Sequence, residues 1–414
     1  AAAVRAATRN VVVVLMDAVR ADHVGLVHEG QSLTPHLDAL AREAVSFTTA
    51  YSASDHTGRS VPCLMTSLPL AVTEGAADNE LPLATWLSRL RQGGYRTFHV
   101  GSNYVFRKYR HVRLPALYGA EQHGTLDSRA PGLEQELLDF VAQADDRPFA
   151  AFAHWSDAHV RRSRTMAADY RDGVRKADAR LGRLVAGLRT SGLWDETLLV
   201  VTSDHGYALG EDRRYLTSQG VDETSVRVPW LIRLPGSVTE GLRIDTPVSG
   251  HDLFGTVLDV MLPEAHTVAW SSGLLGLALD PDGHEPWAVH SSTGRSSMLR
   301  LGPYKLVEDG SQDLRRVFDM RTDAEEQQPV YGGARVDELR AVLAAARARE
   351  MRLLRALVAD TEGLPEHVLA GLIDEQLELG AVREALDDFW QLDADTRRFI
   401  LRTLYQRGFD AIRF

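Results

Sequence analysis

Two apolar runs that each end in an acidic residue constrain the fold of this chain more than any other feature. The run from Asn10 to Met16 is followed by Asp17. The run from Leu198 to Ser203 is followed by Asp204 and His205. Short, valine- and leucine-rich runs are typical of buried strands in a parallel sheet, and in open α/β sheets ligands bind at the carboxyl ends of such strands. The two runs therefore predict an α/β fold in which both strand ends face one site.

The remaining pattern predicts a doubly wound, mostly parallel sheet, because a strand at 95–101 alternates with amphipathic helices. We expect an α/β catalytic core at 1–262, a small antiparallel subdomain at 263–332 and a helical appendage at 333–414. Asp178 is predicted to be a solvated or paired charge. Arg300 and Lys305 could line the pocket, but a charge on a strand face is more often solvated, and we expect that for both. The predicted helices lie at 35–44, 57–66, 83–92, 133–144, 171–191 and 252–261.

Asp17, Asp204 and His205 offer the oxygen and imidazole ligands that divalent ions accept. Thr57 starts the predicted helix that follows a polar loop, where its hydroxyl could serve as a simple N-cap. Alternatively, a bound metal ion would lower the pKa of that hydroxyl and make it a nucleophile. We predict one divalent ion bound by Asp17, Thr57, Asp204 and His205. Zinc is the first choice, and manganese and calcium are alternatives.

Five motifs occur in an order that resembles the sulfatase and phosphotransferase branch of the alkaline phosphatase superfamily. They are DAVRADHVG, TPHLDALAREAVSFTTAYS, TGRSVPC, SDHGYALGE and VRVPWLIRLPG, and the resemblance runs from about Asn10 to about Gln328. The TGRSVPC loop is similar to that of phosphoethanolamine transferases. The resemblance implies a metal-dependent enzyme that acts on sulfate or phosphorus esters.

Two histidines follow the apolar run that begins at Pro148. In the resembled family, a strand end of this kind carries two histidines that face the reacting ester oxygen or a second metal, and His154 and His159 match them by spacing. A neutral imidazole can give a proton to a leaving oxygen near neutral pH. The alternative is that His154 is a core histidine and His159 a surface one.

The sequence also departs from the resembled families. Sulfatases have, at the position of Thr57, a cysteine or serine that is oxidised to an aldehyde, which threonine cannot become. Arg59 and Val61 stand where the sulfatase motif has proline and arginine. Thr217 stands where the phosphotransferases have a further histidine, which makes a second metal doubtful, and Gln219 lies in the region where sulfatases have a lysine.

These residues favour a metal-dependent phosphoester hydrolase or phospho-group transferase that works through a covalent phosphothreonine at Thr57. One alternative is a sulfatase-like hydrolase of sulfate or phosphonate esters. Another is a non-catalytic binding protein that retains the fold. The expected partner is a small-molecule, lipid or glycan ester substrate, and the helical appendage is a candidate for protein contacts or oligomerisation.

Composition narrows the partners further. The formal charge of −11 at pH 7 argues against nucleic-acid binding, since no basic tract would neutralise a phosphate backbone. The longest apolar runs have about seven residues, far fewer than the roughly 20 that span a bilayer. Neither a signal peptide nor a transmembrane segment is recognisable, and the resemblance slightly favours an extracytoplasmic location. Cys63 is expected to be a buried apolar residue.

Overall fold

The computed structural model describes residues 2–68, 70, 73, 84–101, 116–211, 215–216, 220–236, 241–263, 273–281, 289–293, 296–309, 314–333, 336 and 339. Thr217, Gln219 and nearly all of the predicted helical appendage lie outside the described residues. The division at 262 and 333 therefore stays a prediction.

A helix lies at or near each of the six predicted positions. Their bounds are α1 Ala2–Ala7, α2 Pro35–Ala41, α3 Thr57–Thr66, α4 Trp86–Gln92, α5 Leu133–Val141, α6 Met166–Thr190, α7 Glu223–Val226, α8 Asp252–Met261 and α9 Leu274–Leu279, with 3-10 turns at Ala21–His23, Ala116–Gly119 and Trp194–Glu196.

The strands fall into one large sheet and several small ones. Their bounds are β1 Asn10–Met16, β2 Val27–His28, β3 Gln31–Ser32, β4 Val45–Phe47, β5 Ala50–Tyr51, β6 Arg96–Gly101, β7 Gln122–His123, β8 Phe149–Trp155, β9 Thr197–Thr202, β10 Ala208–Leu209, β11 Tyr215–Leu216, β12 Arg227–Val228, β13 Trp230–Arg233, β14 Arg243–Ile244, β15 Val248–Ser249, β16 Val289–Ser292, β17 Ser296–Leu301, β18 Tyr304–Asp309 and β19 Leu314–Asp319.

The large sheet places β1 between the two strands that carry the other site residues. Its order is β14-β4-β13-β9-β1-β8-β6-β7. β1 runs parallel to both β9 and β8, and β13 is antiparallel to its two neighbours. The carboxyl ends of β1, β8 and β9 therefore meet at one edge of the sheet. This confirms the predicted mostly parallel sheet.

The sheet has a core on each face, because alternate side chains of a strand point in opposite directions. Val11, Val13 and Leu15 of β1 pack in a core with α3, α4, α8 and α9. Val12, Val14 and Met16 pack in the other core with α2, α5 and α6. Helices on both faces confirm the doubly wound arrangement, and a strand buried on both faces explains why β1 is apolar at every position after Asn10.

The small antiparallel subdomain predicted from the sequence is also present. β16 to β19 form a four-stranded antiparallel sheet in sequential order. Met298, Val307 and Phe318 pack from it against Tyr51 and Val226 of the α/β core. Lys305 is not solvated as expected but buried, with Nζ 2.9 Å from carboxylate oxygens of both Glu223 and Glu326.

Asp178 lies on the predicted long amphipathic helix, but it is not solvated. It is buried, and its carboxylate accepts hydrogen bonds from the backbone N–H groups of His36 and Leu37 at 3.1 and 2.8 Å. These groups belong to the first turn of α2, whose N–H groups have no partner within the helix. Asp178 of α6 therefore caps α2 from outside that helix.

None of the helices in the described residues is long and apolar enough to cross a membrane. The longest, α6, carries charged residues along its outer face, and its buried face packs on the sheet.

Candidate active site

Asp17 and Asp204 are brought together by the turn that follows β1. Asp17 donates its backbone N–H to Trp155 O of β8 at 2.8 Å. Ala18 has a φ of 66°, a left-handed conformation that is uncommon for alanine, and its N–H donates to Asp204 Oδ1 at 3.2 Å. Val19 N–H donates to Ser203 Oγ at 3.0 Å. The turn thus ties the end of β1 to the end of β9.

Asp17, Asp204 and His205 form a buried group whose ligand atoms lie within 4.8 Å of one another. His205 Nε2 is 3.6 Å from Asp17 Oδ1 and 3.6 Å from Asp204 Oδ2. Both oxygens are buried, and neither has a hydrogen-bond partner among the residues that the structure describes. Because an unpaired buried carboxylate oxygen is costly, the group fits a cation between the three side chains. Ligand atoms this close together could bind a single ion, as the predicted metal site requires.

His205 is oriented by a backbone carbonyl. Its Nδ1 lies 2.6 Å from Gly206 O, which can only accept, so Nδ1 carries a proton. Burial lowers the pKa of His205, but the carboxylates of Asp204 and Asp17 outweigh it and raise the pKa above its ordinary value. The two carboxylates near Nε2 therefore stabilise a positive charge there, whether it is a proton on Nε2 or a bound metal cation.

The pKa of Asp17 is held well below its usual range, although burial acts in the opposite direction. The hydrogen bond with His154 has the largest lowering effect, and electrostatic interactions with His159, His154 and His205 add to it. An ionised carboxylate in a buried position is the state that a metal ligand requires.

Thr57 lies at the start of α3 with its hydroxyl directed at this group. Thr57 Oγ1 is 3.0 Å from His205 Nε2, and the side chain is buried. The N-cap of α3 is His56, whose side chain accepts a hydrogen bond from Gly58 N–H at 3.1 Å. The interpretation of Thr57 as a simple N-cap is therefore wrong, because the residue before it does the capping.

His154 and His159 lie in different surroundings. His154 is fully buried, and its Nε2 is 3.3 Å from Asp17 Oδ2, so it contacts the carboxylate group directly. His159 is half-buried, and its ring lies edge-on to the ring of Tyr207 with centroids 5.6 Å apart. The structure thus brings both histidines to the site edge but gives His154 a specific partner, Asp17.

Asp157, which lies between these histidines, has a structural role. Its Oδ2 accepts from Arg180 Nε at 2.9 Å, and Arg180 NH1 also donates to Glu134 at 2.8 Å. All three side chains are largely buried. This network fixes the turn after β8, which carries His159, to α5 and α6.

Three residues near the site were missed by sequence reasoning. Tyr170 of α6 donates to Ala18 O at 2.7 Å and accepts from Arg20 N–H at 2.9 Å. Tyr207 stacks on Tyr170 with centroids 5.7 Å apart and donates to Val160 O. Asp55 is a buried carboxyl two residues before Thr57. Two of the three had a sequence signal, since Tyr207 lies within the SDHGYALGE motif and Asp55 lies in the polar loop before α3.

Position 206 requires a glycine because helix α7 passes close to its backbone. A Cβ atom at this position would lie 2.0 Å from Thr224 O, and Gly206 N–H donates to Ser225 O at 2.7 Å. The close approach is thus to the segment before β12, which explains the glycine after Asp204 and His205 without any bound ligand.

Comparisons with known proteins agree with this geometry. The sequence profile of the family described as Sulfatase matches residues 9–262, more than half of the chain. The chain belongs to the sulfatase family. This confirms the sulfatase-like part of the resemblance, whereas the phosphoethanolamine-transferase branch and the threonine nucleophile stay proposals.

Among its relatives, this sulfatase-family chain is 29% identical to arylsulfatase K of Bos taurus over 171 residues, which cover 36% of this chain and 30% of that protein. It is 25% identical to the ulvan-active sulfatase of Formosa agariphila over 312 residues, 60% of this chain and 61% of that protein. The chain thus spans less than two thirds of the length of either relative. The phosphonate monoester hydrolase of Agrobacterium radiobacter shares the fold, with a TM-score of 0.64, 19% identity and coverage of 84% of this chain and 96% of that one.

Proposed function

We propose that this sulfatase-family chain is a metal-dependent phosphoester hydrolase or phospho-group transferase that uses Thr57 as a covalent nucleophile. The observation that carries the proposal is the position of Thr57 Oγ1, 3.0 Å from His205 Nε2 and beside the buried carboxylates of Asp17 and Asp204. A nucleophile, a cation-binding group and buried histidines in one place are the parts that a displacement at phosphorus requires.

Asp17, Asp204 and His205 would hold the cation, with the Thr57 hydroxyl as a fourth ligand. When bound, such a cation supplies positive charge that lowers the pKa of the hydroxyl and stabilises charge on the reacting oxygens. Zinc is our first choice, followed by manganese and calcium, because carboxylate and imidazole ligands suit all three. One ion per chain is proposed.

Thr57 Oγ1 gives up its proton to solvent and forms a bond to phosphorus as the bond from phosphorus to the leaving oxygen breaks. The leaving oxygen takes a proton, for which His159, at the half-buried edge of the site, is the proposed donor. Water or an acceptor hydroxyl then attacks phosphorus in the phosphothreonine and gives its proton back to His159, while Thr57 Oγ1 leaves and regains a proton from solvent. The fully buried His154 orients the Asp17 carboxylate through their 3.3 Å contact.

The residue type at position 57 favours phosphorus over sulfur. In the resembled sulfatases, an aldehyde hydrate expels sulfate by collapsing, and a threonine has no equivalent route. A covalent group on Thr57 must therefore leave by a second substitution, as in phosphoryl transfer through a phosphothreonine.

A second candidate function is hydrolysis of sulfate or phosphonate monoesters. It is supported by the family match over residues 9–262 and by the shared fold of a protein described as a phosphonate monoester hydrolase. Relatives described as sulfatases include an ulvan-active one, which makes a glycan ester a reasonable substrate class for this chain too. An extracytoplasmic location is proposed on the same family likeness.

The test is a substrate screen on metal-loaded and metal-stripped protein, using p-nitrophenyl phosphate, bis-p-nitrophenyl phosphate, p-nitrophenyl phenylphosphonate and p-nitrophenyl sulfate. We expect turnover of a phosphate ester that is lost on stripping and restored by one divalent ion per chain. Turnover of the sulfate or the phosphonate without turnover of either phosphate would favour the second candidate. Metal binding without turnover of any ester would favour the non-catalytic alternative.

Thr57→Ala is expected to lower turnover by at least about 10³-fold while the fold persists, because the variant loses the nucleophile but not the N-cap. Thr57→Ser should retain part of the activity. Thr66→Ala, which removes another buried hydroxyl of α3, is the matched control and should remain active. Intact-mass detection of a phosphoryl adduct on the wild type but not on Thr57→Ala would identify the intermediate, and wild-type turnover by Thr57→Ala would rule out this role.

A further inference from the structure

Asp55 is a buried carboxyl beside the candidate site that the mechanism above does not use. It lies two residues before Thr57 and is 1% exposed. Its Oδ2 accepts a hydrogen bond from Gly220 N–H at 3.1 Å, and its Oδ1 is 3.5 Å from Ser54 Oγ. Its charge interacts with His205 and Arg59. A carboxyl this deeply buried is costly unless it is hydrogen-bonded, so the bond from Gly220 is the main interaction that compensates for its burial.

Gly220 begins a segment that contacts both the loop carrying Thr57 and the turn carrying His205. Gly220 has a φ of 135°, a conformation that favours glycine. Six residues on, Val226 O accepts from Ser52 N–H at 2.8 Å, in the loop that leads to Thr57. The segment 220–226 therefore lies along the loop that carries the nucleophile.

The same segment holds the turn that carries His205. Gly206 N–H donates to Ser225 O at 2.7 Å, and Tyr207 N–H donates to Thr224 O at 2.8 Å. The missing Cβ of Gly206 makes this contact possible. The segment is thus bonded to His205's own turn in its second half, while its first residue is bonded to the Asp55 side chain.

We propose that Asp55 is a positioning residue that sets the Thr57 hydroxyl against His205 by fixing Gly220 to the nucleophile loop. The proposal rests on the nucleophile role given to Thr57 above. The loop before α3 is bonded to the first residue of this segment through Asp55, and to its last residue through Ser52. The turn after β9 is bonded to the second half of the same segment. A nucleophile that is displaced by about 1 Å can lose roughly 10² in rate, so a single bond of this kind has a measurable effect.

The hydrogen bond to Gly220, and not the negative charge, is the property that the proposal requires. Asp55→Asn keeps an oxygen that can accept from Gly220 N–H and removes the charge. Asp55→Ala removes both. Asp55→Leu keeps most of the volume without an acceptor, and it replaces the alanine variant if that variant is unstable.

Turnover of the best substrate from the screen is measured for each variant, together with metal content. We expect Asp55→Ala to lower kcat about 10- to 100-fold with little change in KM or metal content, and Asp55→Asn to stay within about 3-fold of wild type. Asp178→Ala is the matched control, because Asp178 is also a buried carboxyl that accepts backbone N–H bonds, but in α2. It should leave kcat unchanged.

Three outcomes would overturn the proposal. Equal losses in Asp55→Asn and Asp55→Ala would assign the effect to charge. Wild-type kcat in Asp55→Ala would show that the bond does not matter to catalysis. Equal losses of kcat in Asp55→Ala and Asp178→Ala would point to a general loss of structure.

Hydrogen exchange at the Gly220 amide separates this inference from the proposed function. We expect the exchange to be slow in wild type and Asp55→Asn and faster in Asp55→Ala, whatever the substrate. If Thr57→Ala is active, the proposed function fails while the exchange result still reports on the Asp55 bond. Unchanged exchange in Asp55→Ala would overturn the inference itself.

Discussion

The side chains around Asp17 show how strongly one residue's role depends on its nearest partners. His154 and His159 are separated by only four residues between them, and both were expected to act on the leaving group. In the structure, His154 Nε2 lies 3.3 Å from Asp17 Oδ2, whereas His159 packs on Tyr207 at the half-buried edge. Partners that hydrogen-bond to a metal-ligating carboxylate orient it and tune its affinity for the metal.

We therefore predict different effects of removing the two histidines. His154→Ala should weaken divalent-metal binding by about 10- to 100-fold, since Asp17 loses the partner that orients it. Its activity should fall alike on esters with good and poor leaving groups when metal is limiting. Calorimetric titration of metal into stripped protein checks the affinity.

His159→Ala should leave metal affinity unchanged and lower the rate by roughly 10² to 10⁴ on esters with a poor leaving group. The loss should shrink for p-nitrophenyl esters, whose leaving oxygen needs no proton. If His159→Ala instead weakened metal binding and His154→Ala did not, the assignment of the two roles would be reversed.

At the scale of elements, the contact between α3 and α8 contains a half-buried histidine. His251 immediately precedes α8, and its Nδ1 lies 2.9 Å from Ser249 Oγ. Burial lowers the pKa of His251 to about 4, and a smaller effect of the Leu68 backbone, just beyond α3, acts in the opposite direction. The folded protein thus binds a proton at this residue less readily than the unfolded chain, whose histidine pKa is about 6.5.

This difference predicts a loss of stability in mild acid. Between pH 6.5 and about 4 the unfolded chain binds more protons at His251, so the free energy of unfolding falls as the pH falls through this window. The contribution is at most about 3 kcal/mol, from roughly 1.4 kcal/mol per pKa unit. Urea unfolding of wild type and His251→Gln at pH 7 and pH 4.5 checks it. A stability difference between the two proteins that does not change with pH would contradict the prediction.

At the scale of the whole molecule, the small antiparallel sheet is joined to the α/β core by a buried charge cluster. Lys305 of β18 contacts Glu223 of α7 and Glu326, each at 2.9 Å, and lies over the ring of Tyr51. Burial raises the pKa of Glu326, and the ammonium of Lys305 acts against that effect. The ammonium of Lys305 compensates the charge of the two carboxylates, so removing it leaves both of them without this partner.

Lys305→Met is therefore predicted to cost about 3 to 5 kcal/mol of unfolding free energy. It leaves the carboxylates of Glu223 and Glu326 without the ammonium, and the remaining cation beside Glu223, Arg227, is more distant at 3.8 Å. Combining it with Glu223→Gln and Glu326→Gln should recover most of the loss, since no unpaired charge remains. Urea unfolding of the single and triple variants measures both. A triple variant no more stable than Lys305→Met would show that the cluster acts through geometry and not through charge.

The sequence by itself determined the parts of this protein that depend on local pattern. The apolar run Asn10–Met16 specifies a strand buried on both faces, and the helices at α3 and α8 begin and end where their patterns predicted. The proximity of Asp17 to Asp204 and His205 was also predictable, because adjacent parallel strands carry their carboxyl ends to the same edge.

Only the tertiary structure decided which partner each buried polar side chain has. Asp178 accepts from His36 N–H, 142 positions away in the sequence. Lys305 pairs with Glu223, 82 positions away, and Asp55 accepts from Gly220 N–H, 165 positions away. A charged residue on a helix or strand has the same local pattern whether it is solvated or paired. Its burial depends on which distant element packs over it, and that is set by the packing of the whole chain and not by any local period.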